Sequence, residues 1–384
     1  MKTVLRLLLS LLYRVQVSGM EHYRAAGERV LIVANHTSFL DAALLVAFLP
    51  HRLTFAINSH IAQRWWVRPF LTLVHALPMD PTSPYSTRSL IRHLQDDHRV
   101  VIFPEGRITV TGALMKVYDG TGMVADKSGA KVLAVRIDGA QYTPFSRLRG
   151  RLRLRWFPKI RLTILPPAQL TAPEHMRGRA RRQRVGAMLS DLMTQMMFVT
   201  SNYRRTLVDV LLDARRVHGG SHYVIEDIQR QPLTYNALLT KAYVLGRLMS
   251  RHTAPGAYVG LLLPNAAVTA IAFFGLHTAA RIPAMLNYTV GAGGMASACR
   301  TARIDTVFTS RRFVAVAKLQ TAVAQLETEV RVIYLEDLRA ELGIGDKLLG
   351  VLFPRLPRLI APQIKRVQPQ DPAVVLFTSG SEGT

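Results

Sequence analysis

The sequence predicts two consecutive α/β domains, on three observations. Compact β-branched runs alternate with stretches of helical periodicity, the pattern that parallel strands and crossover helices produce. Pro166-Pro167 and Pro173 interrupt the alternation and lead into a helical stretch at Arg179–Phe198, after which the alternation resumes. The chain has 384 residues, of which 49% are hydrophobic and 19% charged, which suits two packed cores and argues against long disorder. The boundary falls near Ser201, giving domains 1–200 and 201–384.

Each element has a local reason. Val4–Leu12 is apolar except Arg6 and Ser10, too short to span a bilayer and without a small-residue cleavage site. It reads as an amphipathic helix, lying in a membrane interface or packed as an ordinary N-terminal helix. Val30–Ala34 is a compact β run, and Ser38–Leu49 a helix with Ser38 as N-cap. Val100–Phe103 and Val132–Ile137 are further buried strands.

In the second domain Tyr203–Leu212 precedes a Gly219-Gly220 turn, and a helix follows at Thr234–Ser250. Thr253–Ala280 contains no charged residue and has the hydropathy of a membrane span. Leu263-Pro264-Asn265 splits it, however, into a strand at Tyr258–Leu263 and a helix at Ala266–Ala280, with another strand at Ile282–Leu286. Strands are also expected at Thr306–Thr309, Val330–Tyr334 and Val374–Phe377.

Charge narrows the partners. Lys and Arg number 49 against 25 acidic residues, a formal net charge of +24, which favours nucleic acid, an acidic protein or an anionic phospholipid surface. Basic residues are densest at Arg147–Arg155 and Arg177–Arg184. The second run reads either as a solvated helix face or as a partner surface; it has no interleaved aromatics and belongs to no reader motif, so a lipid surface is expected rather than nucleic acid. The single cysteine, Cys299, rules out an internal disulfide framework, provides no metal cluster and suits a reducing, cytosolic face.

The chemistry-bearing pattern is Asn35-His36-Thr37-Ser38-Phe39-Leu40-Asp41. His-x4-Asp is weak by spacing alone, because His75/Asp80 and His222/Asp227 repeat it. Pro78 breaks the helical turn that would align the first of these, and Tyr223-Val224-Ile225 makes the second extended. Only His36/Asp41 follows a buried strand and enters a helix. A turn there brings the carboxylate to the imidazole and leaves the other ring nitrogen to take a hydroxyl proton. Downstream, Phe103-Pro104-Glu105-Gly106-Arg107 again ends a short β run, with Gly106 allowing close backbone approach and Arg107 able to pair with phosphate.

These two segments resemble the first and third blocks of the glycerolipid acyltransferase family. The resemblance implies a glycerolipid-acyltransferase-like α/β fold, with His36 as general base and Asp41 as its orienting partner. It also implies that Glu105, Gly106 and Arg107 help to bind a glycerophosphate acceptor. Where the family's second block ends Asp-Arg, this chain has Pro78-Met79-Asp80-Pro81; where the fourth has a proline before its Val, it has Leu133-Ala134-Val135. The missing arginine argues for an acceptor other than glycerol 3-phosphate or lysophosphatidate, with Arg107, Lys116 or Arg88 taking up the phosphate charge.

Thr378-Ser379-Gly380-Ser381-Glu382-Gly383 follows a strand and can cradle phosphates with hydroxyl and N–H groups, although no Walker A Gly-Lys-Ser/Thr is present. With Val259–Asn265 and Ile282–Thr289 it resembles the N-terminal part of acyl-adenylate-forming, AMP-binding enzymes, with Thr378, Ser379, Gly380, Ser381 and Gly383 on the nucleotide phosphates. The order of the two domains, with Leu114–Gly120 and Phe145–Leu148, resembles the family that joins a lysophospholipid acyltransferase to an acyl carrier protein synthetase. That family implies ATP and Mg²⁺ for fatty-acid loading, and no cofactor for acyl transfer. Its partners are acyl carrier protein and a lysophospholipid, and its place is the cytoplasmic face of the bacterial inner membrane. The family's remaining adenylation motifs do not occur before Thr384, so these residues alone are expected not to activate fatty acid. The competing expectation is a non-catalytic membrane- or carrier-binding remnant.

Overall fold

The computed structural model describes residues 2–59, 75–79, 84–228 and 230–377. It divides into two units, Met1–Tyr203 and Arg204–Thr384. In chain order the first contains α1 (Lys2–Tyr13), β1 (Gln16–Ser18), α2 (Met20–Ala25), β2 (Val30–Ala34), α3 (Asp41–Phe48), β3 (Thr54–Asn58), β4 (His75–Met79) and α4 (Pro84–Gln95). It continues with β5 (Arg99–Ile102), α5 (Asp119–Ser128), β6 (Lys131–Asp138), β7 (Arg161–Ile164), β8 (Ala168–Gln169) and α6 (Gly178–Val199).

The sheet order is β1-β7-β6-β2-β5-β3-β4, with β8 beside β6. β2 lies between β5 and β6 and is parallel to both, and all five of its residues are buried. Its alternating side chains enter two cores. Val30, Ile32 and Ala34 pack with Leu44, Phe48 and Phe55, whereas Leu31 and Val33 pack with Leu90, Val124 and Met193. β6 runs antiparallel to β7 and β8. Strands β2, β5 and β6 therefore end at one edge, where ligands of open α/β sheets bind.

The helix expected from Ser38 starts instead at Asp41. Ser38 Oγ accepts the N–H of Leu40 at 3.2 Å, while Asp41 draws the N–H groups of Thr37 and Ser38 back onto its carboxylate. The Asp41 N–H closes a turn on the Ser38 carbonyl at 3.2 Å, and the Leu44 N–H bonds the Leu40 carbonyl at 2.9 Å within the helix that follows.

The second unit contains α7 (Leu207–His218), β9 (Tyr223–Ile225), β10 (Leu233–Thr234), α8 (Tyr235–Ser250), β11 (Tyr258–Leu262), α9 (Ala267–Thr278), β12 (Ile282–Met285) and α10 (Gly291–Ala302). There follow β13 (Thr306–Thr309), α11 (Arg311–Val316), α12 (Gln320–Leu326), β14 (Arg331–Tyr334), α13 (Leu335–Leu338), α14 (Ile344–Leu352), α15 (Pro357–Ile360) and β15 (Val375–Leu376). Its main sheet is parallel throughout, in the order β14-β13-β11-β12-β15. The uncharged stretch is thus strand, turn and helix, as Pro264 requires, and among the described residues no helix is long and apolar enough to cross a membrane. Helices α8 and α9 cross closely at Gly246, where a Cβ would stand 2.1 Å from the Gly275 carbonyl oxygen. The expected phosphate loop, with Thr378, Ser379, Gly380, Ser381 and Gly383, lies outside the described residues.

Candidate active site

His36 sits immediately beyond β2, and four contacts fix it. Its ring Nδ1 lies 2.9 Å from Asp41 Oδ2. Its backbone N–H donates to Glu105 Oε1 at 2.8 Å, and its carbonyl oxygen accepts the N–H of Thr109 at 2.8 Å. Its ring stacks on Phe103, with centroids 4.1 Å apart. Asp41 is fully buried, and Oδ2 also accepts the Ser38 N–H at 2.9 Å. A carboxylate only accepts, so Nδ1 is the protonated nitrogen and Nε2 carries the lone pair. The partly exposed ring can therefore take a proton through Nε2.

Asn35 ties the end of β2 to β6 beside the histidine. Its amide oxygen accepts the Ile137 N–H at 2.7 Å, and its amide nitrogen donates to the Ile137 carbonyl at 2.9 Å. A buried side chain thus extends the β2–β6 pairing past the last residue of β2. On the other side of the motif, Phe39 donates its backbone N–H to the Phe145 carbonyl at 3.2 Å, and Ser38 Oγ lies 3.2 Å from Thr143 Oγ1.

Glu105, expected to help bind the acceptor, holds backbone with its carboxylate. It is buried, and its second oxygen accepts the Met115 N–H at 2.8 Å, so both oxygens hold backbone. Burial pushes its carboxyl above the usual carboxylate range, against the opposing pull of those two N–H donors. Gly106 closes a tight turn, with φ +66° and its N–H on the Phe103 carbonyl at 2.9 Å. The same turn leaves Arg107 exposed. Lys116 is exposed as well, its ammonium 5.5 Å from the Tyr118 ring centroid. Arg88 is exposed on α4.

The two decoys differ in surroundings. His75 stands in β4, 3.4 Å from Thr54 Oγ1, and Asp80 lies outside the described residues. His222 stacks on Tyr235, while Asp227 accepts the Ala267 N–H at 3.0 Å at the start of α9. In the arginine-rich Arg177–Arg184 run, Arg181 pairs with buried Asp126 at 2.6 Å, and Arg177, Arg179, Arg182 and Arg184 are exposed. Sequence reasoning also overlooked Arg136, half-buried on β6, whose guanidinium is pushed by burial below its usual range against the opposing pull of Asp138, Glu105, Tyr142 and Asp41. Only the pairing of β6 with β2 could have revealed it.

Residues 14–138 match the protein-family model described as Acyltransferase, and residues 213–384 match the one described as AMP-binding enzyme. The 1-acyl-sn-glycerol-3-phosphate acyltransferase of Bacillus subtilis (strain 168) is 26% identical over 153 residues, covering 39% of this chain and 75% of the relative. Among solved structures, the 1-acyl-sn-glycerophosphate acyltransferase of Thermotoga maritima is 19% identical with a TM-score of 0.40, covering 52% of this chain and 78% of that one. O-succinylbenzoate coenzyme A synthetase of Bacillus subtilis is 16% identical with a TM-score of 0.27, covering 30% of this chain. The match spans only 23% of that synthetase. The chain thus joins an acyltransferase-type α/β domain to an AMP-binding-type α/β domain, and the similarity of the first supports an acyltransferase enzyme.

Proposed function

We propose that the first unit moves a fatty acyl group from acyl carrier protein thioester to the sn-1 hydroxyl of 2-acyl-glycerophosphoethanolamine, regenerating phosphatidylethanolamine. This is the first activity of a bifunctional 2-acylglycerophosphoethanolamine acyltransferase/acyl-[acyl carrier protein] synthetase. The observation that carries the reading is His36, held through Nδ1 by a buried carboxylate with Nε2 left as acceptor.

In this mechanism Nε2 removes the proton of the lysolipid hydroxyl as its oxygen attacks the thioester carbonyl. The tetrahedral intermediate collapses with cleavage of the C–S bond, and the imidazolium returns the proton to the departing thiolate. Asp41 keeps the ring in the required tautomer and stabilises the imidazolium. Arg107 and Lys116, exposed on the loop after β5, take the charge of the acceptor phosphate. The thioester is already activated and the base is His36, so this half-reaction asks for no further group. ATP and Mg²⁺ belong to the second unit, with the nucleotide phosphates on Thr378–Gly383. The cytoplasmic face of a bacterial inner membrane suits the lipid acceptor and the exposed Val4, Leu7, Leu8 and Leu11 of α1.

The test is an acceptor and donor panel. The account expects 2-acyl-glycerophosphoethanolamine to be acylated from acyl carrier protein faster than lysophosphatidate or glycerol 3-phosphate. Acylation of lysophosphatidate without acylation of the ethanolamine lipid would reject this acceptor.

A further inference from the structure

Between the site and α1 runs a loop that the reaction does not use. From Ala140 to Lys159 the chain has no acidic residue but carries Arg147, Arg149, Arg151, Arg153, Arg155 and Lys159. All five arginines are exposed, while Leu148 between them is fully buried and Leu152 and Leu154 are half-buried. The alternation makes an apolar root with a cationic outer side.

The loop is built rather than loose. The N–H groups of Arg151 and Leu152 both donate to the Leu148 carbonyl at 3.0 Å, turning the chain at Gly150. The Arg155 N–H donates to the Tyr142 carbonyl at 2.7 Å, and its guanidinium lies over the Tyr142 ring, 5.8 Å from the centroid.

Both ends are anchored, and both present exposed aromatic rings. At the site end, Phe145 receives the Phe39 N–H, both rings are exposed, and the Arg147 guanidinium lies over Phe39 at 5.6 Å. At the other end Trp156 is 69% and Phe157 51% exposed. There Arg14 of the segment after α1 donates to the Phe157 carbonyl at 2.9 Å, and the Tyr13 ring lies 5.9 Å from that of Phe157. The loop therefore links the Phe39 side of the His36 motif to a helix with four exposed aliphatic side chains, Val4, Leu7, Leu8 and Leu11.

We infer that Phe145–Phe157 is a docking surface for an anionic lipid bilayer, which brings the rim of the acyltransferase site to the membrane. The inference rests on the lipid acceptor of the preceding section. Clustered arginines fit anionic headgroups, Trp156 and Phe157 suit the headgroup level, and the aliphatic side of α1 suits the acyl boundary beneath it. An acidic protein would complement the arginines but leave Trp156, Phe157 and the α1 leucines without a counterpart. A nucleic acid could stack on the two rings but offers nothing to the leucines.

The test uses the full chain and reads vesicle binding, so it stands whether or not the acceptor assignment holds. Vesicles of phosphatidylglycerol with phosphatidylcholine are compared with phosphatidylcholine alone by co-sedimentation. Arg149→Glu/Arg151→Glu/Arg153→Glu is expected to weaken binding to the anionic vesicles by at least about tenfold and to remove its salt sensitivity. A second measurement leaves the loop intact: with Trp65→Phe and Trp66→Phe, Trp156 becomes the single tryptophan, and brominated-chain lipids are expected to quench it. An unquenched Trp156, or a charge-reversed loop that binds as the parent does, would overturn the inference. Loss of binding to an acidic carrier protein or single-stranded DNA with vesicle binding intact would give the loop to that partner instead.

Discussion

Glu105 accepts the backbone N–H of His36 on one oxygen and that of Met115 on the other, each at 2.8 Å. The carboxylate thus ties the His36 turn after β2 to the loop that carries Arg107. Glu105→Gln keeps the volume but offers one acceptor atom, so its NH₂ must face one of the two N–H groups. A buried donor left unsatisfied costs about 1–3 kcal/mol. The expected outcome is a lower unfolding midpoint and a kcat reduced about tenfold or more, with the acceptor KM little changed. A raised KM at unchanged kcat would instead mean that Glu105 touches the acceptor.

Asn35→Ala removes both hydrogen bonds to Ile137 and leaves that residue's N–H and C=O without their partner. A loss on the order of 2–4 kcal/mol is expected by denaturant unfolding. Asn35→Asp should also destabilise, because a carboxylate would meet the Ile137 carbonyl where the amide now donates.

Arg107 is the exposed cation nearest in sequence to the Glu105 latch. Arg107→Ala should raise the KM for phosphate-bearing acceptors about tenfold or more and leave stability unaltered, as the loss of one charge-assisted contact requires. Arg107→Lys should recover part of this, since it keeps the charge without the fork. Acceptor saturation curves separate the outcomes.

His277 gives the second unit an acid limit. It is 8% exposed, its Nε2 has no hydrogen-bond partner among the described residues, and burial pushes its pKa down to about 4. The unfolded chain therefore takes up this proton more readily than the folded one. Stability is full above the unfolded value of 6.5 and falls as pH drops toward 4. Between pH 7 and pH 5 the loss from this group is about 2 kcal/mol. His277→Leu should flatten that part of the profile, as read by denaturant melts at the two pH values.

Local relations were legible in the sequence where the chain itself carries them. Pro264 divides an uncharged stretch that hydropathy alone assigns to a membrane, and the observed strand Tyr258–Leu262 and helix Ala267–Thr278 stand on either side of it. Context likewise distinguished His36 and Asp41 from two equal spacings, because a turn between them needs only neighbouring residues. The start of α3 was misplaced because Asp41 draws the Thr37 and Ser38 N–H groups back onto its carboxylate, a turn that the cap preference of Ser38 does not foresee. The tasks of Glu105 and Asn35 were not legible. One depends on Met115 folding back over the loop and the other on β6 lying beside β2, and neither relation is written in local pattern.

The central claim is that His36 is the base and Asp41 its orienting partner, and single-turnover acyl transfer from acyl carrier protein to 2-acyl-glycerophosphoethanolamine tests it most directly. His36→Ala should lower the rate by about 10²–10⁴ while the thermal transition of the first unit is retained. Asp41→Asn should lower the rate as well, because a neutral amide can still accept the Nδ1 proton but does not stabilise the imidazolium as the buried carboxylate does. Transfer by His36→Ala at the parent rate would contradict the account.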